Sequence, residues 1–199
     1  MFCKWIEFQE GMDSSRKNKT IGFKFKPNQH FSYFHQMKAE TIATIKKELK
    51  HKSTEELEGL CMRMAKYKVE NKELLSFLLF HEENASGYIL QVKDEMDLLF
   101  EGINMTNLYW AKKSIRKILR LVNKHIKYVS EKKAEIELLI YFCEKLKDSG
   151  ISFQNSTALL NIYERQIFKI EKAISTIHED LQYDWNMELD EKNLRTKYF

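Results

Sequence analysis

The sequence predicts an all-α protein, a single-domain helical bundle of about six to seven helices with a long C-terminal helix. Proline occurs once and glycine six times in 199 residues, so the residues that form the tight turns of an all-β fold are scarce. Hydrophobic residues make up 43% of the chain and charged residues 31%, which is typical of a globular protein. From residue 38 onward, apolar side chains recur at helical spacing, and this pattern indicates the fold class.

Residues 1–36 differ in composition from the rest of the chain. They hold the only proline, Pro27, together with a dense set of aromatic residues, and no helical period runs through them. We interpret them as an irregular or poorly ordered N-terminal extension; the alternative is a segment that docks on the helices through its aromatic side chains. The helical domain is then expected over residues 37–185, followed by a polar tail over residues 186–199.

The first predicted helices follow one another closely. In "KAETIATIKKELKHK" the residues Ile42, Ile45 and Leu49 share one face, and in "STEE" Ser53 and Glu56 form a capping box that opens the next helix. The stretch "VENKELLSFLLFHEE" has a crowded set of apolar residues, which predicts a central helix that is buried on more than one side. The stretch "NASG" interrupts the pattern before "YILQVKDEMDLLFEGI" resumes it.

Three further helices are predicted towards the C-terminus. The first runs from about Asn107 to Tyr128; the second is capped by Ser130 and ends at Gly150. The last begins after Ser156 and reaches roughly residue 185, and its apolar residues recur at intervals of 3 and 4, a heptad spacing. These heptad residues are Leu160, Tyr163, Ile167, Ile170, Ile174, Ile177 and Leu181. Such a seam is expected to pack on another helix of the same chain; alternatively it mediates self-association or binds a protein partner.

Four stretches of the chain resemble an uncharacterised family of small all-helical bacterial cytoplasmic proteins. They are "ENKELLSFLL", "AKKSIRKILRLVNKHIKY", "EIELLIYFCEKLK" and "STALLNIYERQIFKIEKAISTIHEDLQYD". The resemblance spans about residues 38–185 and leaves the N-terminal segment outside. It implies a helical fold in the cytoplasm, and it implies no catalytic residues.

One predicted helix is strongly basic. No acidic residue occurs between Gly102 and Ser130, and the stretch carries seven cations, so the remainder of a chain with net charge +4 is net acidic. On a helical wheel the cations fall inside an arc of roughly 140°, opposite an apolar arc of roughly 100°. We call this arc the basic face; it consists of Lys112, Lys113, Arg116, Lys117, Arg120, Lys124 and Lys127. Tyr109 projects within it, and Trp110 and Tyr128 lie at its edge.

The basic face has two interpretations. It binds nucleic acid or another phosphate-bearing ligand, or neighbouring acids such as Glu131, Glu135 and those of "KDEMD" neutralise it. Like charges at i, i+4 disfavour an isolated helix by a few tenths of a kcal/mol per pair, so some anion must offset them. Whether the face is open or covered decides between the two.

An enzymatic alternative depends on paired carboxylates. All-α nucleotide pyrophosphatases hold Mg²⁺ with acidic residues at i, i+3 on two helices, because carboxylate oxygens suit this hard cation. Glu70 and Glu73 form one such pair, and Asp94 and Asp97 form another on the following helix. Acidic residues are frequent in the chain and the second pair departs from the usual E-x-x-D, so the signal has little specificity.

Other sites are not indicated. The six histidines form no metal-binding spacing and are expected at the surface or on helix flanks, and Gly-rich phosphate loops and nucleophile motifs are absent. The three cysteines form no CxxC, and no apolar run approaches the length of about 20 residues that a membrane span needs. We therefore expect a cytoplasmic, non-enzymatic binding or adaptor module without a cofactor; Mg²⁺ enters only with the pyrophosphatase alternative.

Overall fold

A computed structural model describes residues 38–104, 106–151 and 156–195. The predicted extension over residues 1–36 lies outside these ranges. The chain divides into two compact units, Met1–Lys50 and His51–Phe199. In the first unit the described structure is one helix, α1 (Ile42–Leu49), which Thr41 caps by accepting a hydrogen bond from the backbone of Thr44.

The second unit is built from helices, and the all-α class is confirmed. Its described residues contain seven α-helices and a short 3₁₀ turn at Glu82–Asn84, so with α1 the described helices number eight rather than six to seven. The seven are α2 (Thr54–Tyr67), α3 (Val69–Phe80), α4 (Ala85–Glu101), α5 (Leu108–Val129), α6 (Lys132–Asp148), α7 (Thr157–Ile174) and α8 (Glu179–Glu191). No helix among the described residues combines the length and apolar character that crossing a bilayer requires.

Helix α6 is the centre of the second unit. Its buried residues point to all sides of the helix, and α4, α5 and α7 pack around it. They are Ala134, Ile136, Leu138, Leu139, Ile140, Phe142, Cys143 and Leu146. The prediction that α3 is the central helix is wrong: Phe77 is its one buried residue, whereas Leu79 and Phe80 are exposed.

Two local signals at helix ends are confirmed and one is wrong. The Ser53–Glu56 capping box is complete, with both side chains accepting from the other residue's backbone N–H at 3.2 and 2.9 Å. Gly150 follows α6 with φ of +71°, a conformation that glycine adopts without strain. Ser130 does not cap α6; it ends α5 in the left-handed conformation, because two residues must reverse the chain there, and Glu131 precedes α6 instead.

The prediction of one long C-terminal helix is also wrong, because helix α7 ends at Ile174. The hydroxyls of Ser175 and Thr176 donate to the carbonyls of Lys172 and Ala173, at 2.8 and 2.7 Å, and such side-chain bonds compete with continued helix formation. His178 then caps α8. Helix α8 continues to Glu191, so part of the predicted polar tail is helical, and beyond it Leu194 is buried.

Three of the heptad residues are buried within the chain, and the other four are half-buried. On α7, Tyr163, Ile170 and Ile174 are buried, and α7 makes its largest contact with α6. The last two heptad positions, Ile177 and Leu181, fall in the break and on α8, where they are half-buried. The spacing therefore predicts an internal packing surface, although it does not reveal the break.

Candidate phosphate-binding face

Helix α5 carries the basic face as the sequence predicts. Asn107 caps it by accepting from the backbone N–H of Tyr109 at 2.8 Å, and the helix extends for 22 residues. Its core side is formed by Ala111, Ile115, Ile118, Val122 and Val129, all buried. Because these residues fix the rotation of α5 in the bundle, the cations are directed to the opposite side.

The cations of the basic face differ in exposure. Lys112 and Lys124 are half-buried, and the other five are exposed: Lys113, Arg116, Lys117, Arg120 and Lys127. At 1.5 Å per residue, the face extends about 22 Å from its first lysine to its last. It therefore forms a row of solvent-accessible cations along one side of the helix.

Lys124 is the member of the basic face with an acidic partner. Its Nζ lies 2.8 Å from Glu73 Oε2 on α3. Among the described residues, no carboxylate oxygen comes within 4.0 Å of a cationic nitrogen on the other six. Most of the positive charge of α5 is thus uncompensated in this part of the chain.

Three of the acids that were expected to neutralise the basic face lie beside other residues. Glu135 binds Lys132 at 2.7 Å, and Asp97 binds Lys145 at 2.8 Å on α6. Glu95 approaches His125 at 3.9 Å rather than a cation of the basic face. The structure therefore leaves the basic face open with respect to these neighbours.

Two concavities lie along α5 and share Arg120 and Asn123. One, of about 570 Å³, is bordered by Glu70, Arg120, Leu121, Asn123, Lys124, Lys127 and Tyr128. The other, of about 590 Å³, is bordered by Tyr109, Lys113, Arg116, Leu119, Arg120, Asn123 and Ile162. Both are open to solvent, and cations contribute to the walls of each.

Helix α7 adds a cation that the sequence pattern of α5 does not indicate. The Nζ of Lys169 donates to Asn123 Oδ1 at 3.4 Å, which places it beside the shared wall of the two concavities. Lys169 is exposed. Its position depends on how α7 packs against the bundle, so no signal within the basic stretch predicts it.

An exposed aromatic pair lies at the N-terminal end of α5. Tyr109 is 65% exposed and Trp110 is 48% exposed, and their ring centres are 5.3 Å apart in an edge-to-face arrangement. Lys113 Nζ lies 5.0 Å from the centre of the Trp110 ring, a cation–π distance. Tyr128, expected at the edge of the basic face, is instead buried, and its hydroxyl donates to Glu73 at 2.9 Å.

His125 is a buried member of α5, so its predicted surface position is wrong. Its Nδ1 lies 2.6 Å from the hydroxyl of Tyr88, and its Nε2 is buried without a hydrogen-bond partner among the described residues. Burial, reinforced by the charge of Lys124, lowers the pKa of His125 to about 4, although Glu73 opposes the shift. Burial, with the charges of Glu73 and Glu95, raises the pKa of Tyr88 to about 12. Both rings are therefore neutral near pH 7.

This neutral histidine makes stability depend on pH. Because its pKa falls from 6.5 when unfolded to about 4 when folded, the unfolded state takes up a proton first as the pH drops. The full stability is present above pH 6.5, and we expect a loss of about 2 kcal/mol by about pH 5, from 1.36 kcal/mol per pH unit. Urea unfolding above pH 6.5 and at about pH 5 measures this loss of stability. His125→Gln should remove most of the pH dependence. Equal pH dependence in both proteins would contradict this expectation.

The four carboxylates of the pyrophosphatase alternative have different neighbours. Glu73 faces α5, where hydrogen bonds from Lys124 and Tyr128 lower its pKa against the effect of burial. Asp97 faces α6; burial raises its pKa, but hydrogen bonds from Lys145 and Tyr141 outweigh burial and lower the pKa below its ordinary value. Glu70 and Asp94 are exposed. Among the described residues, no group of three or more acidic, histidine or cysteine side chains is arranged to hold a metal ion.

The chain matches no protein-family model, and no curated protein or solved structure is significantly similar to it.

Proposed function

We propose that this protein is a non-enzymatic helical binding module that holds nucleic acid through the basic face of α5. The observation that carries the proposal is the absence of an acidic partner for six of the seven cations among the described residues. Nucleic acid supplies a regular row of phosphates, and release of its condensed counterions drives association with such a face.

The electrostatics of α5 favour an external anion. Lys112, Arg116, Arg120 and Lys124 follow one another at i, i+4, an arrangement that disfavours a helix by a few tenths of a kcal/mol per pair. Among these four cations, only Lys124 has an acidic partner among the described residues. A bound phosphate backbone would offset the remaining repulsion, and a face of about 22 Å accommodates about three or four phosphates.

The aromatic pair favours single-stranded over duplex nucleic acid. Tyr109 points into the basic face and borders the same concavity as Lys113 and Arg116. An exposed aromatic ring beside phosphate-binding cations offers a surface on which an unpaired base stacks, at about 1–3 kcal/mol per base. Contacts to phosphates carry no direct sequence information, so little dependence on base sequence is expected.

Fluorescence anisotropy with labelled oligonucleotides tests the proposal. We expect the purified chain to bind single-stranded DNA, RNA and duplex DNA at low salt, with the single strands bound more tightly. Log K should fall linearly with log salt, by about 0.7 for each phosphate that the protein neutralises on a single strand. If none of the three probes binds at low salt, the basic face is only a solvated surface and the proposal fails.

A further inference from the structure

Helix α2 is amphipathic, yet none of its 14 residues, all within the described chain, is buried. It packs mainly on α3 through the side that contains Leu57 and Ala65, which are half-buried. Beside this contact, α2 carries a stripe at intervals of 4, 3 and 4, the spacing of a helix-packing seam: Glu56, Leu60, Arg63 and Tyr67. Leu60 is 39% exposed and Tyr67 is 78% exposed. We call this stripe the α2 seam.

We infer that the α2 seam is the contact between two copies of this chain, which pair α2 with α2 in antiparallel orientation. A two-fold axis makes each contact occur twice, so the surface must be complementary to itself. The seam has this property, because its acidic residue Glu56 and its basic residue Arg63 are equally far from the point between Gly59 and Leu60. In the antiparallel pair each Glu56 faces Arg63 of the partner subunit.

Gly59 supports the same arrangement independently. It lies in the interior of α2, where glycine is a poor helix former, and an added Cβ would meet no atom within 4 Å. Packing within the described chain therefore gives no reason for a glycine at this position. In the antiparallel pair, Leu60 lies against Gly59 of the partner subunit, and the missing side chain lets the two helices approach closely.

The wider charge pattern of α2 agrees with this orientation. Glu55 and Glu56 lie in the first turn and Lys66 in the last, so the acidic end of one copy meets the basic end of the other. Arg63 has no carboxylate partner among the described residues, while Glu56 binds Lys52 at 3.0 Å on the exposed surface. A parallel pair would place like charges together, and the antiparallel pair places opposite charges together.

Sedimentation equilibrium of the full chain over a wide concentration range tests the inference. We expect a reversible dimer, and Leu60→Glu should weaken it by at least roughly 100-fold, because the seam would then bury an unpaired charge. The matched control is Leu98→Glu, which alters an exposed leucine on α4 and should leave the dimer unchanged. A monomer at all concentrations, or equal effects of the two variants, would overturn the inference.

Charge exchange tests the antiparallel register. Arg63→Glu and Glu56→Arg should each weaken self-association, whereas an equimolar mixture should form a heterodimer, because both contacts then join opposite charges. Gly59→Ala should weaken the dimer while circular dichroism shows an equal or larger helix content, because alanine is the better helix former. If the mixture fails to associate, or if Gly59→Ala leaves the dimer unchanged, the proposed pairing is wrong.

Discussion

Replacing Lys113, Arg116 and Arg120 with Gln is expected to weaken binding to single-stranded nucleic acid about 100-fold at 0.1 M salt, at about 0.7 log unit for each phosphate that the variant no longer neutralises. The dependence of log K on log salt should become shallower in the same variant, by about 2. All three side chains are exposed and Gln is a good helix former, so the fold should persist. Lys124 is kept, because its removal would leave Glu73 without its cation.

A second triple variant provides the matched control. Lys47, Lys72 and Lys133 are exposed cations on α1, α3 and α6, and none belongs to the basic face. Changing all three to Gln removes the same net charge from the chain. Binding should therefore change little, and similar losses of affinity in the two triple variants would show that only overall charge matters.

Ile170→Asp is expected to destabilise the fold by about 4 kcal/mol or more, because it places an unpaired charge at a fully buried position. Typical domains have a total stability of about 5–15 kcal/mol, so the variant should lose a large share of its stability and unfold at a much lower urea concentration. Circular dichroism during urea unfolding measures the effect.

Phe168→Asp is the control on the same helix, and Phe168 is exposed. Its effect should stay within about 0.5 kcal/mol. If Ile170→Asp instead gave a stable folded monomer from a wild-type dimer, the heptad residues of α7 would form an interface between copies rather than part of the core.

Local signals predicted much of the fold. The capping residue Ser53 acts through hydrogen bonds within one turn, so its position in the sequence was sufficient to place the start of α2. The break after Ile174 was missed because the apolar spacing continues through it to Ile177 and Leu181. The hydrogen bonds of the Ser175 and Thr176 side chains favour the end of the helix, whereas the apolar spacing favours its continuation. Composition alone does not show which effect is stronger.

The order of the helices in the bundle was harder to predict. Both α3 and α6 are rich in apolar residues, but α6 has neighbours on every side and α3 does not. Apolar content alone therefore does not distinguish a central helix from one with an exposed apolar side.

The basic face was predicted because its cations lie on a single helix with regular spacing. Its surroundings were not predictable in the same way. The pairing of Lys124 with Glu73 and the approach of Lys169 to Asn123 join residues that are 51 and 46 positions apart. The burial of His125 also depends on tertiary contacts, since its ring meets Tyr88 on α4. Long-range packing of this kind leaves no periodic signal in the sequence.

Lysine footprinting with a single-stranded oligonucleotide tests most directly whether the basic face holds nucleic acid. The chain is acetylated briefly with and without the oligonucleotide, and mass spectrometry measures the modification of each lysine. We predict protection of Lys113, Lys117 and Lys127, while Lys72 and Lys133 react equally in both samples. Protection confined to lysines outside α5, or no change at α5 when the probe is bound, would contradict the proposed function.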